Sequence, residues 1–317
     1  FKGGPYTGSY EFSGLYTVKA WKSYVKSEIR KKAGSRMRLP DGNSLGAGQE
    51  IQDLIRSVEA LYAEDYVRHW RHFFASITMP PFENYQAAAQ ALSEMPMVLN
   101  QLLGVLSDNT QLDKENKLAE IFAREFNTVD ILFKGAGQNF THPDLIAYFT
   151  QVSVLEKEMR LMDREDKAGE AAKKAAETQL DETNEKRLLL PAWEMASAIR
   201  QSLSDTGNDD FSGPFTLPVE HVWRLLLKIT QDRLVHLFEQ TVCPEFKKDL
   251  GSLYPFDPEG KDASPEEIDR IFHPKSGLFW EFYRQEVAPF LSVENDELVS
   301  AKWIDIGIEA APGMEQH

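Results

Sequence analysis

What this chain lacks narrows its reading first. It holds one cysteine, Cys243, in 317 residues. No intrachain disulfide and no multi-cysteine zinc site can form, so the fold must stand on packing and hydrogen bonding. No apolar run approaches the ~20 residues that span a bilayer, and the start carries no signal-peptide pattern. Positive charge is scarce: 35 Lys and Arg against 50 Asp and Glu give a formal net charge of −15. Nonspecific nucleic-acid binding, which works by neutralising phosphates, is therefore disfavoured, and so on average is attraction to anionic lipid. Strand-type alternation is nearly absent, limited to Ile304, Ile306 and Ile308. No repeat of fixed period is found. The opening residue is Phe1 rather than Met, which reads as a fragment or a processed product.

What is present is helical periodicity. After Thr17 as N-cap, Val18, Trp21, Tyr24, Val25 and Ile29 form one stripe, with Ala33-Gly34 as its stop. A longer stripe runs from Ile51 through Trp70 to Ile77 and meets Pro80-Pro81; the Pro40 to Gly48 stretch between the two reads as a surface loop. Tyr85 to Leu92 and Val98 to Leu106 read as two helices, Pro96 suiting the first turn of the second. Leu118, Ile121, Phe122 and Phe126 continue the series up to Gly135-Ala136-Gly137, and it resumes from Leu145 to Leu161. Asp163 to Arg187 then loses its apolar residues to alanine and mixed charge, which predicts a solvated helix bridging two lobes or a frayed linker. Helical patterning returns over Leu188 to Leu203 and Val222 to Val242, either side of a polar loop from Asp205 to Pro214. Ser264-Pro265-Glu266-Glu267 spells a capping box, opening a helix that carries Ile268, Ile271 and Phe272.

The fold class that follows is mainly α: an elongated multi-helix bundle with little β structure beyond a short strand near the C-terminus. Its expected organisation is an N-terminal helical lobe over 1–162, a charged helical connector over 163–187 and a C-terminal helical lobe over 188–317.

Chemical constellations are thin. Asp65, His69 and His72, spaced four and three apart, share one helical face and could supply three metal ligands to a metal-dependent enzyme. The same helix carries Trp70, Phe73 and Phe74, and Arg68 and Arg71 bracket the histidines, which favours solvated or hydrogen-bonded imidazoles. Cys243 and His236 lie seven residues apart on one helix, about 10 Å along its axis, too far for a thiolate–imidazole pair. A buried structural cysteine is the expectation. Gly135-Ala136-Gly137-Gln138 lacks the lysine of a P-loop and reads as a helix-ending turn. No catalytic, cofactor-binding or metal residues are assigned, and no cofactor is implied.

Two features remain. Lys19, Lys22, Lys26, Arg30, Lys31, Lys32, Arg36 and Arg38 make one helix and its loop basic within an acidic chain. This is either a solvated face with cations near a helix C-terminus or a contact for anionic lipid or an acidic partner. The last third carries an aromatic and proline block: Leu253-Tyr254-Pro255-Phe256, then Phe272-His273-Pro274-Lys275-Ser276-Gly277-Leu278-Phe279-Trp280-Glu281-Phe282-Tyr283, then Ala288-Pro289-Phe290-Leu291. Rings this dense between turn formers predict a packed corner or an anchoring surface.

Together with Gly14-Leu15-Tyr16-Thr17, Leu61-Tyr62-Ala63-Glu64-Asp65-Tyr66-Val67-Arg68-His69-Trp70 and Leu92-Ser93-Glu94-Met95-Pro96-Met97-Val98-Leu99-Asn100-Gln101-Leu102-Leu103, that block resembles the periplasmic region of IcmF/TssM proteins. The landmarks fall in order from about Gly14 to Leu291. The resemblance implies a noncatalytic scaffold of a type VI secretion system, or of a related type IVB apparatus, in the periplasmic portion of a bacterial inner-membrane protein. It implies as partners the other membrane-complex subunits: an inner-membrane partner, and an outer-membrane lipoprotein bound mainly through a β-rich domain absent here. It also implies an oligomeric complex and no nucleic acid. A metal-dependent enzyme and a cytosolic helical adaptor stand as the alternatives.

Overall fold

The computed structural model describes residues 2–36, 48–110, 117–137, 140–164, 167–294 and 297–308. Helix dominates them, as the periodicity predicts. The helices are α1 (Val18–Ala20), which passes through a π turn (Trp21–Val25) into α2 (Lys26–Arg36), then α3 (Gly48–Ala75), α4 (Tyr85–Thr110), α5 (Lys117–Leu132), α6 (Pro143–Asp163), α7 (Ala168–Leu180), α8 (Leu190–Ser204), α9 (Gly213–Asp249), α10 (Pro265–Phe272) and α11 (Leu278–Phe282). Strands are short: β1 (Lys2–Gly3), β2 (Tyr6–Gly8) and β3 (Ile77–Thr78) form one antiparallel sheet, β4 (Leu253–Tyr254) pairs β5 (Lys261–Asp262), β6 (Leu291–Glu294) pairs β7 (Glu297–Ser300), and β8 (Lys302–Trp303) pairs β9 (Ile306–Gly307). Among the described residues no helix is long and apolar enough to cross a membrane.

The chain divides into two compact units. The first takes Phe1–Pro81, Ala87–Lys157 and Pro191–Glu220. Its axis is α3, which buries Ile55, Ala63, Tyr66, Val67, Trp70 and Phe74, residues that fall on one side of a helix. Phe74 and Phe126 close on Phe211, with ring centroids 4.9 and 6.1 Å away. Tyr148 and Phe133 close on Phe215 at 5.5 and 6.0 Å. The N-terminal strand is stitched in by Tyr6, fully buried, whose hydroxyl donates to the Pro214 carbonyl at 2.8 Å.

Local expectations are modified where packing outweighs a breaker. Thr17 does cap its helix, its Oγ1 accepting from the Ala20 amide at 3.2 Å, but the helix runs past Gly34 to Arg36. Its π turn has a geometric reason. Steps of four residues drift ~40° round an α-helix, and one wider turn brings Ala33 back toward the side of the buried Trp21. Pro96 starts no helix; it lies inside α4. The missing amide costs one hydrogen bond, yet Leu92, Met95, Leu99, Leu102, Leu103 and Leu106 are buried on both sides of it and keep the helix whole. The loop expected over Pro40 to Gly48 lies almost wholly outside the described residues.

The second unit takes Phe82–Gln86, Glu158–Leu190 and His221–His317. Here α7 corrects the expectation of a solvated helix. Ala172 and Ala176 are fully buried, and buried Gln179 accepts from the Leu189 amide at 2.9 Å. Alanine registers weakly as an apolar stripe in sequence, yet it allows close approach: Gly169 packs against the Arg233 side chain, and Lys173 pairs with Glu286 at 3.2 Å. The capping box of α10 forms in both directions, Glu267 N to Ser264 Oγ at 3.2 Å and Ser264 N to Glu267 Oε2 at 2.8 Å. The bond from the Ser264 amide, with a contribution from its hydroxyl, holds the Glu267 carboxyl below its usual range. The short C-terminal β structure is a hairpin rather than a strand through Ile304. Ile304 and Asp305 form its two-residue loop at φ 50° and 63°, both positive as a type I′ turn requires.

Pro214 belongs to the first turn of α9, and the residue four places on is Pro218, which has no N–H to return to its carbonyl. Tyr6 supplies that donor. Tyr6→Phe is therefore expected to destabilise the first unit by about 1–3 kcal/mol, the cost of leaving a buried acceptor short of a partner; denaturant unfolding of wild type and variant measures it.

Candidate functional site

On the helix face that carries the metal-like trio, Asp65 is engaged by a cation, while the two histidines share Tyr10. Asp65 is ion-paired with Arg68 one turn along α3. His69 stands in a sleeve of rings from the N-terminal segment: Tyr16 at 4.1 Å, Phe12 at 6.0 Å and Tyr10 at 6.0 Å. The Tyr10 hydroxyl lies 2.6 Å from His69 Nδ1; donating there, it requires the neutral ring with its proton on Nε2. His72 meets the edge of Tyr10 at 5.5 Å and lines a pocket of about 320 Å³ with Arg68, Arg71, Arg124 and Glu125. Among the described residues no three metal-donor side chains converge. The geometry here is that of an aromatic clasp in which imidazole acts as a ring and a hydrogen-bond acceptor.

The clasp is built from polar tips as well as faces. Trp70 Nε1 donates to the Tyr16 carbonyl at 3.0 Å, Tyr62 to the Leu15 carbonyl at 2.7 Å and Tyr66 to the Asn109 carbonyl at 2.8 Å. Each anchors an extended segment or a helix end to α3. The clasp is what the Tyr16 and Leu61-to-Trp70 landmarks encode, although their spacing in sequence does not reveal it.

Other candidates separate in the same way. Cys243 is half-buried, not fully buried as expected, and His236 is exposed elsewhere on α9. Gly135 and Gly137 have positive φ, as a helix-ending turn needs. The Gly137 amide donates to the Asn100 carbonyl and side-chain oxygen at 3.1 and 2.9 Å, and its backbone lies so near Gly104 that a Cβ on Gly104 would meet it at 2.8 Å. This turn is closed on helix α4 rather than open to a phosphate. Gln138 lies outside the described residues.

In the second unit the aromatic block packs against α9. Phe238 meets Phe282 at 5.5 Å, Phe246 meets Phe256 at 5.0 Å, and Phe272, Phe279, Trp280 and Tyr283 continue ring to ring at 5.4 to 6.0 Å. Phe290 and Ile271 are fully buried beneath, yet Tyr254 stays 53% exposed and Phe256 41%. Corner and anchoring surface are thus one object, packed inside and displayed outside. Trp223 reaches the last hairpin, Nε1 donating to the Ile306 carbonyl at 3.0 Å.

With this geometry in hand, comparison is informative. Residues 5–111, which hold the clasp, match the family model described as "IcmF-related: Intracellular multiplication and human macrophage-killing". That match makes residues 5–111 similar to the IcmF-related family over about a third of the chain. Among solved structures, a chain of a "Type VI secretion system membrane core complex" shares the fold with TM-score 0.63 at 17% identity, over 93% of this chain and 58% of that one. A chain of a "Type VI membrane complex" does so with TM-score 0.54 at 15% identity, over 78% and 48%. This chain thus spans less than two thirds of either. No curated protein matches it significantly in sequence. The matched stretch contains the three N-terminal landmarks, and the aromatic block lies beyond it.

The His69 imidazole is held below its usual value, first by partial burial among the rings, then by Arg68 and His72, against an opposing pull from Asp65. The unfolded chain therefore takes up a proton first as pH falls through about 6.5, and stability falls from there down to the folded value. Thermal melts at about pH 7.5 and 5.5 are expected to show that loss, and His69→Phe is expected to flatten it.

Proposed function

We propose that this chain is a noncatalytic structural segment of a bacterial type VI secretion envelope complex. In this reading it is part of the periplasmic portion of an inner-membrane protein and supports complex assembly and effector export. The observation that carries it is fold similarity to two type VI membrane-complex chains over most of this chain, joined to an IcmF-related match that includes the clasp. The site geometry agrees: Asp65 is paired with Arg68, His69 and His72 both pack on Tyr10, and the polar tips of Tyr62, Tyr66 and Trp70 are spent on main-chain carbonyls. Such groups hold elements in place.

The partners in this reading are the other membrane-complex subunits, an inner-membrane subunit and an outer-membrane lipoprotein, the latter mainly through a β-rich part. The displayed rings of the second unit are the natural contact, since exposed aromatic groups bordered by polar residues mark docking surfaces.

A photocrosslinking residue in place of Phe256, within the full-length protein in cells carrying the secretion system, is expected to give adducts with membrane-complex subunits. Adducts without any secretion component would count against the reading, as would a hydrolytic activity of the purified chain abolished by His69→Phe.

A further inference from the structure

The helical segment 18–36 buries one side and displays the other. Trp21 is fully buried, its ring stacked on Tyr62 at 5.1 Å, and the Val18 amide donates to Asn109 Oδ1 at 3.0 Å. The segment is thereby fixed on α3 through Trp21 and on the end of α4 through Val18. On the outside, Lys19, Lys22, Arg30, Lys31 and Lys32 are exposed and Lys26 is half-exposed. Seven bases stand against Glu28 alone over these residues, +6 in a chain whose total is −15, which leaves −21 for the remainder. Glu28 is itself taken by Lys31 at 3.5 Å. Among the described residues no carboxylate is within ion-pair distance of Lys19, Lys22, Arg30 or Lys32. Arg38 lies outside the described residues.

We propose that this face docks on a bilayer surface bearing anionic phospholipid headgroups. The hydroxyls of Ser23, Ser27 and Ser35 donate back to the carbonyls of Lys19, Tyr24 and Lys32 at 2.8, 2.8 and 3.0 Å, so the serines are spent within the helix. What remains is a stripe of displayed cations, Lys19, Lys22, Arg30 and Lys32, spread over about 20 Å by helical rise. Laterally mobile headgroups can each move to meet a cation in such a row, whereas an acidic peptide would have to match its spacing. The same surface repels the −21 carried elsewhere, so attraction is confined to this face. The inference stands on charge and exposure alone and is independent of the secretion reading.

Vesicle co-sedimentation of the whole chain tests it. Vesicles with about a quarter phosphatidylglycerol are expected to pellet the protein, pure phosphatidylcholine vesicles are not, and raising salt from about 50 to about 300 mM is expected to release it. The set Lys19→Glu, Lys22→Glu, Arg30→Glu and Lys32→Glu is expected to weaken binding about tenfold or more. A control with the same charge change elsewhere, Lys186→Glu, Lys247→Glu, Lys261→Glu and Lys275→Glu, is expected to bind within about twofold of wild type. The same four stripe residues changed to Gln, with an unchanged melting profile, keep the test clear of misfolding and should also lose binding. Equal binding to both vesicle types, no binding by wild type, or equal loss in the control would overturn the proposal. If wild type ignores the vesicles but the stripe variant loses a protein subunit in pull-downs, the face belongs to an acidic protein partner and the lipid proposal fails.

Discussion

One interaction recurs wherever the chain must be held to itself: an aromatic body is packed away and its single polar tip is given to a main-chain carbonyl on another element. Tyr6 does this to Pro214, Tyr66 to Asn109, Trp70 to Tyr16 and Tyr148 to Phe215 in the first unit. Tyr85 does it to Ala168, Trp223 to Ile306 and Tyr283 to Leu291 in the second. Burial excludes water from each ring, and the bond then prevents both the hydroxyl or indole and its carbonyl from being left unsatisfied. Burial likewise pushes the ionisation of the Tyr6, Tyr66 and Tyr148 hydroxyls upward, so they remain donors across the working pH range. A chain with one cysteine has no covalent staple, and these bonds take that place with the added specificity of direction.

Charge is organised around the same frame. In the second unit Glu286, on the π turn after α11, accepts from Arg233 at 2.8 Å and pairs with Lys173 at 3.2 Å. Partial burial pushes its carboxyl upward, and the two cations together outweigh that and hold it below its usual range. Paired acids of this kind serve architecture. In the first unit the exposed cations of 18–36 are arranged the opposite way, displayed and largely unmatched, which is how a surface attracts something outside the chain. Fixing and displaying are separate uses of charge, and here they fall on separate elements.

Much of the local structure was legible in order along the chain. The capping box at Ser264, the Thr17 cap and the Gly135-to-Gly137 turn depend on residues within five positions of one another, and all three formed as read. Features that depend on distant neighbours were misread. Pro96 has the look of a helix start, but the buried leucines on both sides carry α4 through it. The alanines of α7 look solvated, and only their contact face shows them to be core. Asp65, His69 and His72 share a helical face as expected, yet Tyr10 and Tyr16, more than fifty residues away in sequence, decide what the histidine does.

By itself, then, the sequence determined helix content, the freedom from disulfides, the acidic balance with its single basic helix, and the ordered landmarks that point to an IcmF-related region. These are properties of composition and of spacing over a few turns, and neighbours along the chain suffice to set them. Tertiary structure alone decided which rings are clasps and which are displayed, which carbonyl each tyrosine satisfies, and that the aromatic block is buried at Phe290 while open at Tyr254. Burial and hydrogen-bond pairing belong to groups brought together from far along the chain, and periodicity carries no record of which groups those are.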